Sequence, residues 1–518
     1  MTELYLDRLA RTINENWNAP ALTDFYLTED GTVQDTSRGN HYTYGEMYME
    51  MLRLTELFKE LGLQKGDHIA ICGANSAHWG IAYLAIAAYQ GVAVTILHSQ
   101  APEDIAYQIE FSDAKLLFSE EMLWEDIRSF LQGDNVSKLS YIISLTDWSH
   151  ISSRPIESIQ SAMIKDTTYV QGQCQISHRE LDDLAMICFT SGSTGVAKGV
   201  MLTYRCLSTN IDYLCQQFAN YRTFGAHVAY IPYSHLGGLV LELLEPLCSG
   251  TKCIIIQHPM KLSGLVDCYN LFNPTIIMMV PAILSAILKT NHDYSNLFGS
   301  NLQLLGIGGA KLSEYLEKQL MENHVPLAIG YGTTECSPFI SIAMPYNFRQ
   351  HSAGLIVPTL ECMCGADGEI LVKGENVMLG YYKNPEATAK KIDKDGWLHT
   401  GDKGYLDEDG YLYVEGRLEQ DMIVLPNGEN IHPDNIESKI NALEEVKESI
   451  VLAREGKLIA IVVISNELSA DSRKALRLSI LRSVNAQLPF YAQLYDIEWS
   501  EEPLARTAKQ TIKRYLYK

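Results

Sequence analysis

The segment ICFTSGSTGVAKGVMLTYR, Ile187 to Arg205, holds the densest run of groups suited to chemistry in this chain. Three glycines, two serines, two threonines and a lysine fall within the ten residues Thr190 to Gly199. Glycines let a backbone approach a ligand closely and aim successive N–H groups at it. Ser191, Ser193 and Thr194 add hydroxyl donors, and Lys198 adds a positive charge on a long stem. A loop of this kind suits a polyphosphate. It is not the P-loop of nucleotide hydrolases, which needs Ser or Thr directly after a Gly-Lys pair. Here Lys198 lies between Ala197 and Gly199.

Such a loop must be held by rigid elements, and the surrounding pattern supplies them. From about Tyr42, helical periodicity in TYGEMYMEMLRLTELFKELGL gives way to the short apolar run HIAIC. Further helices and the runs GVAVTIL, AKLLFS, AHVAYIPY, TKCIIIQ, TIIMMVP and LQLLGIGG follow. Short buried strands alternating with helices predict an α/β domain with parallel pairing. After about Ser337 the texture becomes β-rich, with short strands, Gly/Asp turns and a hairpin at Asp409-Gly410. Past Arg417 it becomes α+β, with a strand in DMIVLP, a helix from about Pro433, strands in ESIVLAR and LIAIVVIS, and a helix over SRKALRLSILRSVNAQ. The expected division is a large domain over 1–417, with its β-rich subdomain over about 338–417, and a small C-terminal domain over 418–518.

The 518 residues exceed what one hydrophobic core supports. A net charge of -22 argues against nucleic-acid binding, which needs clustered Lys and Arg, and fits a dispersed soluble enzyme. Eleven cysteines without CxxC or zinc spacing read as small buried hydrophobes of a reducing, cytoplasmic compartment. The longest apolar run, Ile81 to Leu97, is broken by Gln90 and Gly91 and is too short to span a membrane. It reads as a buried helix followed by a buried strand.

TSGSTGVAKGV resembles the signature of the acyl-adenylate-forming superfamily, which includes acyl-CoA synthetases, luciferases and peptide-synthetase adenylation domains. Ala197 replaces the usual proline. Further landmarks follow in the family's order: PYSHLGG, GIGGAKL, GYGTTE, GEILVKGENVMLGYYKNPEAT, GWLHTGDKGYLDEDGYLYVEGR and IVLPNGENIHPDNIE. The likeness extends from about Tyr42 to the C-terminus. It implies the large and small domains already inferred, with the small one a mobile lid.

The resemblance also implies roles. Thr190, Ser191, Gly192, Ser193, Thr194, Gly195 and Lys198 would hold the β- and γ-phosphates of ATP. Tyr331, with Gly332 and Thr333, would lie against adenine, lined on its other side by Gly308, Gly309 and Ala310. Thr334 would donate to the α-phosphate, and Glu335 would hold Mg²⁺. Asp402 would accept from the ribose diol, Arg417 would face ribose and phosphate, and His235 would stand at the acyl pocket. His399 reads as structural, and His258 and His432 as ordinary. A hinge at Glu419, Gln420 or Asp421 would let the lid swing between two half-reactions.

Two departures stand out. The family's lid lysine falls on Thr511, which leaves Lys509 as the candidate for its work, with Lys513 the other nearby lysine. GRLEQDMIV is one residue longer than the common hinge spacing. The expected activity is that of an ATP-dependent acid–thiol ligase. It would form an acyl-AMP from a medium- or long-chain fatty acid, release pyrophosphate and pass the acyl group to coenzyme A. A carrier protein acting in trans as acyl acceptor, or a non-catalytic acyl/nucleotide sensor, are the alternatives.

Overall fold

The structure, a computed structural model, describes residues 2–517 apart from 27–38, 132–138, 149–173, 175, 177–179, 191–196, 222–225, 258–261, 291–296, 419–422, 425–429, 432, 444, 455–456, 465–468, 489–491 and 507–511. The alternating first half forms α/β units distributed over three sheets. In the largest, His68–Cys72 lies parallel to Val92–Ile96 and Leu116–Ser119, and Leu184–Thr190 continues the parallel set beside Val92–Ile96. Helix Ala77–Tyr89, between the first two strands, is buried from Ala77 to Ala87. A helix apolar on every side belongs in an interior, which accounts for the long apolar run. Ser76 caps its start by accepting from the Trp79 N–H, and Gln90 ends it in the left-handed region at φ 69°.

In the second sheet, Ile276–Met279, Leu304–Ile307 and Leu327–Tyr331 run parallel. Ser341–Ala343 and Leu355–Ile356 extend its edge antiparallel, although the sequence places both in the β-rich stretch. The third sheet joins Ala226–Ala229, Lys252–Gln257 and Pro20–Tyr26 in parallel. Its Pro20–Tyr26 strand, and the helix Tyr5–Glu15 that buries Tyr5, Leu6, Leu9 and Ile13, precede the alternation seen from Tyr42.

The β-rich sheet is antiparallel: Leu360–Cys364, Glu369–Gly374, Leu398–Leu406 and Leu412–Arg417. The last two form the hairpin around Asp409-Gly410, closed by the Asp407 and Gly410 backbone amides. In the C-terminal part, Val446–Arg454 and Lys457–Ile464 pair antiparallel, with Leu494–Ser500 parallel to the second. Helices Pro433–Asn441 and Ala470–Asn485 cover one face around Ile436, Ile440, Val451 and Ile480. Nine cysteines are buried, Cys362 and Cys364 are half-buried, and all eleven are free thiols. Among the described residues no helix is long and apolar enough to cross a membrane.

Candidate active site

The glycine-rich loop is the connection of a hairpin. Leu184–Thr190 and Lys198–Thr203 are antiparallel, and Thr190 faces Lys198 across the ladder. A P-loop instead leads into a helix, so the hairpin agrees with the spacing that rules that motif out. Ser191 to Gly195 lie outside the described residues. Thr190 and Lys198, at the two strand ends, are buried and half-buried.

Two parallel strands of the second sheet end side by side at the same edge. Gly308, Gly309 and Ala310 follow Leu304–Ile307, and Tyr331 is the last residue of the neighbouring strand. A crevice beyond strand carboxyl ends is the usual ligand site of open α/β sheets. Gly309 has φ +80°, a conformation that favours glycine. The chain then turns back on itself so tightly that a Cβ on Gly332 would sit 1.8 Å from the Pro338 carbonyl oxygen. That fold-back presents Thr333 and the short 3₁₀ turn Thr334–Cys336, which carries Glu335.

The β-rich sheet supplies the other charged groups. Asp402 and Arg417 are ladder partners on its last hairpin. Asp402 is 6% exposed. Its Oδ2 accepts from the Tyr331 hydroxyl at 2.7 Å, and its Oδ1 faces the Arg417 Nε at 2.9 Å. Burial raises the Asp402 carboxyl above its ordinary value, opposed by Arg417, the Tyr331 hydroxyl and Lys391. Burial and the adjacent Asp402 charge together push the Tyr331 hydroxyl well up. Lys391 donates to the Thr400 carbonyl at 2.9 Å, where an Arg417 N–H also donates at 3.3 Å. Three cations and two carboxylates thus line one region: Lys198, Lys391 and Arg417 with Glu335 and Asp402.

Two further members were not read from sequence. Tyr381 donates to Glu335 Oε1 at 2.8 Å, and its ring centroid lies 5.3 Å from Lys198 Nζ. Lys391 stands in a helix whose sequence gives no sign of its target. The GYY in the β-rich landmark was the available signal for Tyr381, but its partner is 46 residues upstream.

His235 is half-buried on another segment, at the start of the turn Leu236–Gly238. The neighbouring Ser234 carbonyl accepts from Thr95 Oγ1 at 3.4 Å and Cys188 Sγ at 3.6 Å, which ties this loop to the first sheet. Beneath it runs a π-helix, Leu239–Leu244, a form often found at functional sites. Its fully buried Glu242 accepts from the Tyr230 and Ile231 N–H groups at 2.9 and 2.6 Å. Burial lifts the Glu242 carboxyl well above its ordinary value, opposed by the Ile231 and Tyr230 N–H groups. His399 bonds Glu369 at 2.7 Å within the β-rich sheet. His258, His432, the hinge residues Glu419, Gln420 and Asp421, Lys509 and Thr511 lie outside the described residues. The residues that flank 507–511 are anchored: Arg506 bridges to Ile512 and pairs with Glu448, and Arg514 pairs with Glu437.

For a divalent cation the donor set is one carboxylate, Glu335, in a region that also gathers cations. Among the described residues no group of three or more His, Cys, Asp or Glu forms a metal cage. Mg²⁺ binds through one or two carboxylates together with phosphate oxygens and water, so this set fits Mg²⁺ arriving with a polyphosphate.

Comparison with known proteins bears on the whole chain. The family model described as AMP-binding enzyme matches residues 9–382, and that of the AMP-binding enzyme C-terminal domain matches residues 420–517. The match therefore begins well before Tyr42. 4-Coumarate–CoA ligase 3 of Arabidopsis thaliana is 26% identical over 486 residues, covering 89% of this chain and 83% of that protein. A long-chain-fatty-acid–CoA ligase of Escherichia coli O6:H1 is 29% identical over 498 residues, covering 88% and 86%. The anthranilate CoA ligase AuaEII, solved with anthranoyl-AMP, superposes with a TM-score of 0.81 at 22% identity, over 100% of this chain and 96% of that one. Bacillus subtilis o-succinylbenzoate CoA synthetase, solved with ATP and magnesium, gives 0.75 at 22% identity, over 98% of each chain.

Proposed function

Since this chain belongs to the AMP-binding enzyme family, we propose that it is an ATP-dependent acid–thiol ligase that makes acyl- or aryl-CoA through an acyl-adenylate. The observation that carries this reading is the meeting of Tyr331, Asp402, Arg417, Glu335 and Lys198 at the carboxyl ends of parallel strands. In the first half-reaction a carboxylate oxygen bonds to the α-phosphorus of ATP and pyrophosphate leaves. In the second, a thiol sulfur attacks the acyl carbonyl, the thiol proton passes to solvent, and AMP leaves. ATP, Mg²⁺ and coenzyme A are the cofactor and co-substrates.

Each residue has work that follows from its place. The diol of ribose offers two donors to Asp402, whose carboxylate is kept ionised by Arg417 against the cost of burial. Tyr331, fixed by the same carboxylate, presents its ring towards adenine, with Gly308, Gly309 and Ala310 opposite. Thr190 to Lys198 surround the outer phosphates, and Thr334 donates to the α-phosphate. Mg²⁺, held by Glu335, would offset charge on the phosphates as two anions are brought together. Cationic Lys198, Lys391 and Arg417 serve the same end without a metal.

The chain is divided at about residue 417, and the lid from 418 swings about Glu419, Gln420 or Asp421. Lys509, between the anchored residues Arg506 and Ile512, approaches the carboxylate and α-phosphate in place of the lysine that Thr511 replaces. The proposed acid is a medium- or long-chain fatty acid, taken in a pocket shaped by Ser234 to Leu241 and the strands before Tyr331, with His235 at its wall, in the cytoplasm. The 4-coumarate ligases among the relatives make an aryl acid the second reading. Pyrophosphate release is measured with straight-chain acids from C6 to C18 and with cinnamic-type acids, with and without coenzyme A. Acid-dependent release supports the ligase, and the preferred acid decides between the two readings. Acyl transfer to an added carrier protein and not to coenzyme A assigns the second step to that acceptor. Nucleotide binding with no release from any acid identifies a sensor and ends the proposal.

A further inference from the structure

The strand Gly380–Tyr381 belongs by sequence to the β-rich stretch, yet it pairs with Lys198–Thr203 at the edge of the first sheet. It is fixed on every side. Leu379 N donates to the Met201 carbonyl and Tyr382 N to that of Gly199. Met378 N donates to the Glu335 carbonyl at 2.9 Å, and Tyr381 N donates to Thr388 Oγ1 at 2.9 Å. Just upstream, Asn376 bonds Asn210, which in turn donates to the Cys336 and Ser337 carbonyls. The segment therefore joins the phosphate hairpin to the turn that carries Glu335.

Tyr381 stands at that junction, 6% exposed. Its hydroxyl donates to Glu335 Oε1 at 2.8 Å, and its ring faces Lys198 Nζ, 5.3 Å from the centroid. We infer that Tyr381 is the positioning residue of the cation–phosphate site: its hydroxyl sets the Glu335 carboxylate for a divalent cation, and its ring seats Lys198 for the outer phosphates. A carboxylate offers about four lone-pair sites, so one hydrogen bond and one metal bond share it without competition. Partners behind a metal ligand fix its rotamer and typically account for about 10- to 100-fold in metal affinity. A cation over an aromatic face contributes more modestly. The two functions sit on different parts of one side chain, so substitution separates them. The inference rests on the reading of Glu335 as the metal carboxylate.

The experiment titrates Mn²⁺ into the whole protein saturated with α,β-methylene-ATP and reads free Mn²⁺ by electron paramagnetic resonance. Binding is normalised to the sites that take nucleotide, so a misfolded fraction does not imitate the effect. Tyr381→Phe keeps the ring and removes the hydroxyl. It is expected to weaken Mn²⁺ about tenfold, with metal-free nucleotide affinity unchanged. Tyr381→Leu is expected to weaken Mn²⁺ equally and also to lower metal-free nucleotide affinity about threefold. Glu335→Gln is expected to weaken Mn²⁺ at least as much as Tyr381→Phe, and the double variant no further. Wild-type Mn²⁺ affinity in Tyr381→Phe, beside a weakened Glu335→Gln, overturns the inference alone. Wild-type Mn²⁺ affinity in Glu335→Gln overturns the reading beneath it.

Discussion

Asp402→Asn tests the nucleotide end of the site. The carboxylate is nearly inaccessible and holds two donors, the Tyr331 hydroxyl at 2.7 Å and Arg417 Nε at 2.9 Å. Asparagine offers one acceptor oxygen and turns its NH₂ towards a donor on the other side. It therefore loses the charge and one acceptor arm facing the ribose diol. Hydrogen bonds to charged groups contribute about 1.5–3 kcal/mol each. A loss of about 2–4 kcal/mol lowers ATP affinity about 30- to 1,000-fold. Folding should suffer far less. Half of the Arg417 side chain is exposed, so its ion pair is screened and contributes at most about 1 kcal/mol. Tyr331 keeps an acceptor in the amide oxygen. Calorimetric titration with α,β-methylene-ATP, beside a thermal melt, measures both. Wild-type nucleotide affinity in a folded Asp402→Asn protein would refute the assignment. There is also a pH signature. Burial raises the Asp402 carboxyl, so ATP affinity should fall, as pH drops, at a pH above that of an ordinary aspartate near 3.9. Asp402→Asn should lose that limb.

Three other outcomes follow from the geometry. Gly332→Ala places a methyl 1.8 Å from the Pro338 carbonyl, backbone against backbone, and should cost about 1–3 kcal/mol of stability along with most pyrophosphate release, read by a thermal melt and initial rates; an unaffected variant contradicts the fold-back. Glu242 has a folded pKa raised by burial, so its contribution to stability is present below its unfolded value and is lost as pH rises through the folded one. Glu242→Gln keeps the acceptor for Tyr230 and Ile231, and its melting temperature should decline less than the wild type's as pH rises above the ordinary glutamate range; parallel curves would contradict a raised Glu242 carboxyl. Lys509→Ala should slow adenylation about a hundredfold while leaving thioester formation from supplied acyl-AMP intact, measured as two separate half-reactions, and unchanged adenylation removes Lys509 from the mechanism.

The strands that carry the site were legible because they are short apolar runs, such as His68–Cys72 and Leu304–Ile307, bounded by Gly, Asp and Pro. Period and punctuation suffice for that. The hairpin Leu398–Leu406 with Leu412–Arg417 was legible from Asp409-Gly410. Sheet membership was not: Ser341–Ala343 and Leu355–Ile356 look like the β-rich strands that follow, and only their pairing with Leu327–Tyr331 assigns them. Tyr381 and Lys391 share the reason. Their neighbours Glu335 and Thr400 are set by tertiary pairing, which spacing along the chain does not encode. Glu242 was hidden in an apolar helix, because its partners are two backbone amides. The helix Tyr5–Glu15 and strand Pro20–Tyr26 escaped because neither begins a repeating α/β alternation.

The central claim is that ATP and an organic acid are joined here as a mixed anhydride. Isotope exchange between labelled pyrophosphate and ATP, with the purified protein, Mg²⁺ and a panel of fatty and aryl acids, tests it most directly, because exchange requires the adenylate to form and revert. Label should enter ATP only when a suitable acid is present, and without any coenzyme A. Exchange absent with every acid, in protein that binds the nucleotide, would contradict the account.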